Sequence, residues 1–285
     1  KTVRSPRAIS NINLKNIKNR IGIDLGASIA IEDGLIYASN ADFRFVDIRI
    51  GDVKNKFESF DKHRISKVRN LIETKDLIIG LHTLSAVNMA EFAPYLSEAV
   101  DDYIKSYIDV AKLIDANWVE VHAGFHFTGD YERRKLAGLE RLKRMGDYAA
   151  KQGVKLFLEN MNPEPVNAEV HYLACDVEET RFYFDNLPHE NISWSYTVNH
   201  AHIIPVGIEG FYNAFGGKRL AEVRLADNKG DKEEHLQPGK GNIDFKKMFQ
   251  MFENDGFKGH YMLAFGNHND MKSGRDYLIE QLESV

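Results

Sequence analysis

Short, largely apolar runs recur along the chain, separated by longer stretches of mixed polarity. Eight of them read as strands: RIGIDL (20–25), FRFVDIRI (43–50), LIIGLHT (77–83), WVEVHAG (118–124), VKLFLEN (154–160), SWSYTV (193–198), LAEVRLAD (220–227) and HYMLAF (260–265). Short apolar or β-branched runs of this kind suit strands buried on both faces. Between them the hydrophobic period lengthens to that of a helix. Residues 93–116 bring Leu96, Val100, Ile104, Ile108 and Leu113 near one face, and 131–153 bring Leu136, Leu139, Leu142 and Met145 together, with Gly153 as a C-terminal stop. Residues 244–256 and 271–285 form helical patterns after the seventh and eighth strands, whereas 26–42 show no clear helix. Eight strands alternating with helices predict an α/β fold, a single (β/α)8 TIM barrel over 20–285, with 1–19 as an N-terminal extension.

Composition narrows this picture. The chain has 285 residues, within the range of one such barrel, and 43% are hydrophobic, enough for a sizeable core. The formal net charge of −5 argues against nucleic acid as a partner. The single cysteine, Cys175, excludes an internal disulfide and points to a reducing, cytoplasmic setting. No apolar run is long enough to span a membrane. The opening stretch is basic without an apolar core, unlike a secretory signal, and about its first ten residues are expected to be loosely ordered. The GxG in PGKGNID lacks the strand–GxGxxG–helix context of a nucleotide site.

Sites in such barrels lie at the C-terminal strand ends. There the chain offers Asp24, His82, His122, Glu159, Asn199 and His202, then Arg224 and Asp227, the loop residues Glu233 and His235, and His268 after the last strand. Histidine and carboxylate side chains converging from separate strands are the ligand set of zinc, manganese and similar divalent ions. Lys229 and Lys240 in the seventh loop could meet a phosphate or carboxylate, although solvated loop lysines are the simpler reading. Phe125, Phe127, Trp194, Tyr196 and Phe265 lie near strand ends, where they could pack the core or wall a sugar ring.

The segments LHTLSAVNMA, VHAGFHFTGD, LFLENM, VNHAH, DNKGDKEEHLQPGKGNIDF and GHYMLAF follow the order seen in the xylose isomerase-like TIM barrels, which the chain resembles from about residue 20 to its end. That superfamily includes sugar epimerases and isomerases, inosose and dehydroshikimate dehydratases, and endonuclease IV. In its sugar-acting members the resemblance implies one divalent ion held by four residues. Carried onto this chain they fall on Glu159, which matches, and on Asn199, Arg224 and Ala264, which do not. Arginine has no lone pair for a metal, but its fork could replace the ion's charge and hold an anionic substrate. The endonuclease-like members imply further ligands at His82, His122, His202, Glu233 and His235. A divalent ion (Mn, Zn or Mg) would then move to a displaced site, His82 with His122 and Glu159, or His202 with Glu233 and His235, or be lost with the departed ligands.

The resemblance implies a small sugar-like substrate and a proton moved next to a carbonyl. With Ala264 replacing one of two facing carboxylates, a one-base reaction is expected, an isomerisation or a loss of water. Glu159 would be the base, His202 or His122 the proton donor and Arg224 the oxyanion partner, while His122, His126, Asn199, His235, Lys240 and Phe265 contact substrate. The alternatives are a non-catalytic sugar-binding barrel and an endonuclease IV-like abasic-site nuclease. Relatives of this kind often self-associate, so a homo-oligomer is also expected.

Overall fold

The computed structural model describes residues 14–188 and 190–283, so the expectation of a loose N-terminal start lies outside the described residues. The chain runs α1 (Leu14–Arg20), β1 (Ile21–Asp24), α2 (Ile31–Asn40), β2 (Phe45–Ile48), α3 (Lys62–Thr74), β3 (Ile78–His82), α4 (Leu96–Leu113) and β4 (Trp118–Val121). It continues through β5 (Phe125–Phe127), α5 (Tyr131–Gln152), β6 (Lys155–Glu159), β7 (Val170–Tyr172), α6 (Val177–Asn186) and β8 (Ile192–Thr197). It ends with α7 (Val198–His202), α8 (Gly207–Phe215), β9 (Leu220–Leu225), α9 (Phe245–Asn254), β10 (His260–Leu263) and α10 (His268–Glu283). Strands β1, β2, β3, β4, β6, β8, β9 and β10 close into an all-parallel barrel, with β1 paired to both β2 and β10. The fold is a (β/α)8 TIM barrel, and all eight barrel strands fall on the predicted runs. Strands β5 and β7 form a separate antiparallel ribbon pairing His126 with His171.

The helices depart from the pattern in instructive ways. α2 fills the stretch where none was evident; its buried residues are Ile31, Gly34, Leu35 and Ala38. That is the i, i+3, i+4, i+7 spacing of a packed face, but two of the four are small, so the stripe is faint. In α4 the ends of the expected face, Leu96 and Leu113, are exposed, while Ile104 and Ile108 are buried; in α5 Leu136 is exposed and Leu139, Leu142 and Met145 are buried. Gly153 closes α5 in a left-handed conformation, φ 75°, as its position predicts. Among the described residues no helix is long and apolar enough to cross a membrane.

Alternation along the strands sorts the barrel interior into layers. The lowest is aromatic: Trp118 stacks on Phe157 at 5.2 Å and His260 stacks on Phe45 at 4.6 Å. Gly80 makes room for that indole, since a Cβ there would lie 2.0 Å from Trp118 Nε1. The middle layer is ionic, with Asp47, Glu120, Ser195 and Glu222, all fully buried. The upper layer, at the C-terminal strand ends, holds Asp24, His82, His122, Glu159 and Thr197, and opens towards solvent.

Candidate metal and acid–base site

Arg224 ties the two upper layers together. Its side chain is 2% exposed, and Nη1 donates to Asp47 Oδ2 at 2.7 Å, Glu120 Oε2 at 2.5 Å and Glu222 Oε1 at 3.0 Å. Nη2 donates to Asp24. The expectation that this fork is free for an anionic substrate or an oxyanion is therefore revised, because carboxylates on four strands already engage it. Burial and the charge of Glu222 push Asp47 up to about 7, and burial lifts Glu120 well above the carboxylate range. Ser195 Oγ lies 2.8 Å from Glu120 Oε1 and 2.9 Å from Glu222 Oε1. One hydroxyl proton cannot serve both, so a proton on Glu120 completes the chain Glu120–Ser195–Glu222. Asp24 and Glu222 remain ionised: burial alone would raise both, but Arg224 outweighs it, aided by His82 at Asp24 and by His260 at Glu222.

Above this layer His82 Nε2 lies 3.3 Å from His122 Nε2 and 3.6 Å from Glu159 Oε2, and His122 Nε2 lies 3.2 Å from that oxygen. Hydrogen-bond partners assign the tautomers. His82 Nδ1 lies 3.0 Å from the acceptor-only carboxylate of Asp24 and 3.2 Å from the donor Nη2 of Arg224; the shorter contact, to a charged acceptor, puts the proton on Nδ1. His122 Nδ1 faces Thr83 Oγ1 at 3.5 Å, and that hydroxyl donates to the Glu120 carbonyl at 2.8 Å, leaving it an acceptor. Three lone pairs thus converge, and either a proton or a metal ion belongs among them. Burial pushes the His122 imidazole down, which disfavours the proton. The three separations also match the ~3.3 Å edge of a tetrahedron with zinc-type bonds of about 2.0–2.1 Å. The donor set fits a divalent ion.

Glu159 Oε1 accepts from Thr197 Oγ1 at 2.5 Å. Burial alone would raise the Glu159 carboxyl, but contact with His122 and the positive Arg224 hold it well below the usual range. Such a carboxylate suits a ligand better than the expected base. Thr197, not Asn199, is the β8-end residue that meets Glu159. The amide of Asn199 turns to the Glu234 carbonyl at 3.2 Å, and Ala264 offers only its backbone oxygen, which His235 Nδ1 reaches at 2.7 Å.

A second trio lies alongside. His235 Nε2 is 2.8 Å and His200 Nε2 3.7 Å from Glu233 Oε1, an oxygen buried without an aligned hydrogen bond. His200, rather than the expected His202, completes this group. Both sit on α7, where two residues turn the side chain through about 200°, so they point to opposite sides. His202 instead bonds Asn242 Oδ1 at 2.7 Å. His200 is held by the Asn160 carbonyl at 2.9 Å. Burial pushes the His200 imidazole down; at His235 burial is outweighed by Glu233 and the Ala264 carbonyl, which raise it.

Both groups adjoin a cavity of about 810 Å³ at the barrel mouth, lined by Asp24, His82, Glu159, His235, Phe265 and His268 among others. Phe265, buried in the core, also borders this cavity, whereas Trp194 and Tyr196 are core residues outside its lining. His126 lies on the β5–β7 ribbon against His171 and Tyr131, outside the cavity lining, and Lys240 is an exposed loop residue outside it too. A slightly larger cavity, about 850 Å³, opens at the opposite end of the barrel beside Trp118 and Phe157, away from both trios. Sequence reasoning passed over Asp47, Glu120, Glu222, Thr197 and His200. A lone acid inside each of FVDI, WVEV and LAEV was the available signal, since a charge buried in a strand needs a partner.

Comparison with known proteins agrees with this architecture. An uncharacterized protein of Methanocaldococcus jannaschii is 25% identical over 217 residues, 75% of this chain and 80% of that protein. The crystal structure of a D-tagatose 3-epimerase-like protein superposes with a TM-score of 0.78 at 20% identity, covering 92% of this chain and 97% of that one. An AP endonuclease, family 2, from Brucella melitensis gives a TM-score of 0.71 at 15% identity, covering 92% and 98%. At such identities these two structures speak for the fold alone. The family described as Xylose isomerase-like TIM barrel matches residues 35–283, and the chain belongs to it.

Proposed function

We propose that this protein is a metal-dependent enzyme that moves a proton next to the carbonyl of a small polyhydroxylated compound, as an isomerase or epimerase, or as a dehydratase. The observation that carries the reading is the convergence of His82 Nε2, His122 Nε2 and Glu159 Oε2 at the rim of the mouth cavity. These three residues would hold the ion. When bound, the ion supplies Lewis-acid stabilisation of negative charge developing on a carbonyl oxygen. Asp24 orients His82, and Thr197 orients Glu159. His235 takes the proton on Nε2, the nitrogen left free because Nδ1 donates to the Ala264 carbonyl, and Glu233, 2.8 Å from Nε2, then stabilises the imidazolium. Glu159, first expected as the base, serves as a ligand here. Phe265 packs against the carbon skeleton and helps exclude water. Membership of a sugar-active structural neighbourhood supports the substrate class.

The test is proton exchange. Metal-free protein is reloaded with zinc, manganese or magnesium and incubated in D2O with aldoses, ketoses and inososes, and NMR follows deuterium entering next to the carbonyl. Exchange that His235→Gln abolishes supports the reading. Binding without exchange on any compound would favour a sugar-binding barrel instead.

The convergence of His200 and His235 on one oxygen of Glu233 favours a second reading. If His200, Glu233 and His235 hold an ion of their own, two ions would flank the mouth and suit hydrolysis of a phosphoester, the chemistry that the endonuclease neighbour's name implies. About two ions per chain, with phosphoesterase activity, would select it.

A further inference from the structure

Arg49 follows β2 by one residue and shares the parity of Asp47, so it stands over the barrel mouth roughly 6–7 Å above that residue. It is half-buried and lines the mouth cavity together with Ser28, Asn267 and His268. Its backbone is pinned: the amide donates to the Gly26 carbonyl at 3.0 Å, and its own carbonyl accepts from the buried Asn55 at 3.3 Å. Its guanidinium, in contrast, makes no ion pair or hydrogen bond among the described residues. Other arginines are engaged: Arg20, Arg44, Arg64, Arg69, Arg134, Arg141, Arg144, Arg224 and Arg275 with carboxylates, Arg181 and Arg219 with carbonyls, and Arg133 with a ring.

The formal charges of the lining sum to zero, Asp24 and Glu159 against Arg49 and Arg224, but they are not evenly paired. Asp24 and Glu159 on its inner wall are committed to Arg224, His82 and His122. Arg49 remains as an unmatched cation, always ionised, in a partly desolvated place. A guanidinium offers a planar fork that phosphate and carboxylate match with two parallel bonds. We infer that Arg49 is a specificity residue and that the substrate carries an anionic group, phosphate or carboxylate, at the end remote from the reacting carbonyl. This inference rests on the proposed proton-transfer reading for the identity of the other end.

The test uses metal-free protein, so that neither ion binding nor turnover enters it. Calorimetric titration compares ribulose 5-phosphate, ribonate and neutral ribulose. At least one anionic compound should bind roughly 10- to 100-fold more tightly than ribulose, the range of a charge-assisted hydrogen bond. Preference between phosphate and carboxylate then identifies the group. Arg49→Gln should erase the advantage. Arg49→Lys, which keeps the charge, should retain part of it, and Arg69→Gln at the other end of the barrel should leave it intact. Equal affinity for all three compounds in the unaltered protein, or an advantage that survives Arg49→Gln, would overturn the inference. Failure of the proton-transfer reading would show separately, as absent deuterium exchange.

Discussion

Replacing Arg224 by methionine removes one cation from the middle of the barrel while keeping much of the side-chain volume. Four carboxylates meet the guanidinium; at neutral pH Asp24 and Glu222 are ionised, and Asp47, pushed up to about 7, is partly so. Breaking a buried ion pair from one side costs about 3–5 kcal/mol, because a charge is left without its partner. A second route gives a similar figure. Burial alone would raise Glu222, but Arg224 and His260 bring it from 4.5 to about 2, which corresponds to about 3 kcal/mol of stability at neutral pH. The sign follows from the depressed carboxylate: this stability is present above 4.5 and is lost as pH falls through about 2. Urea unfolding of Arg224→Met at pH 7 should therefore show a loss of about 3–5 kcal/mol, narrowing as the pH is lowered below about 5. A variant that loses less than about 1 kcal/mol, yet no longer binds ligand, would show that the guanidinium works outward on the cavity and that its role in the ionic layer is misjudged.

Other consequences concern the ligands, the base and the core. Asp24→Asn should weaken zinc binding about 10- to 100-fold, measured by competition with a chromophoric chelator, because the carboxylate that orients His82 is lost. Acting as a base, His235 must be neutral, and Glu233 and the Ala264 carbonyl raise it against the effect of burial. The acid limb of kcat/KM should therefore lie above 6.5, the ordinary value, and Glu233→Gln should move it to lower pH in a pH–rate profile. Gly80→Ala would set a methyl group against the Trp118 indole and should cost about 1–3 kcal/mol by chemical denaturation, with an altered near-UV circular dichroism signal.

The barrel was legible because strands covered on both faces are short and rich in apolar residues, and each of the eight carries such residues, although ISWSYT is polar at every second position and LAEVRL holds both Glu222 and Arg224. Helices α5 and α9 were legible because each buries a broad stripe. α3 was not, since Val68 is its one fully buried residue and Asp61, its cap, reads equally as a loop. His82, His122 and Glu159 could be placed together from strand ends alone. His200 and His202 could not be told apart without knowing that α7 begins at Val198 and turns one of them away. Arg224 was read from its position, and its partners were missed. Asp24, Asp47 and Glu120 lie 104 to 200 residues away in the chain and meet it only after the barrel closes. A resemblance to relatives with a different residue there could not supply that information.

Metal content measured by mass spectrometry, on protein purified without chelator and then equilibrated with zinc, tests the central claim most directly. The account predicts about one tightly held ion at the first trio, absent from His122→Ala and Glu159→Gln although both remain folded. No ion on the unaltered protein, or an ion that both variants keep with the same affinity, would contradict it.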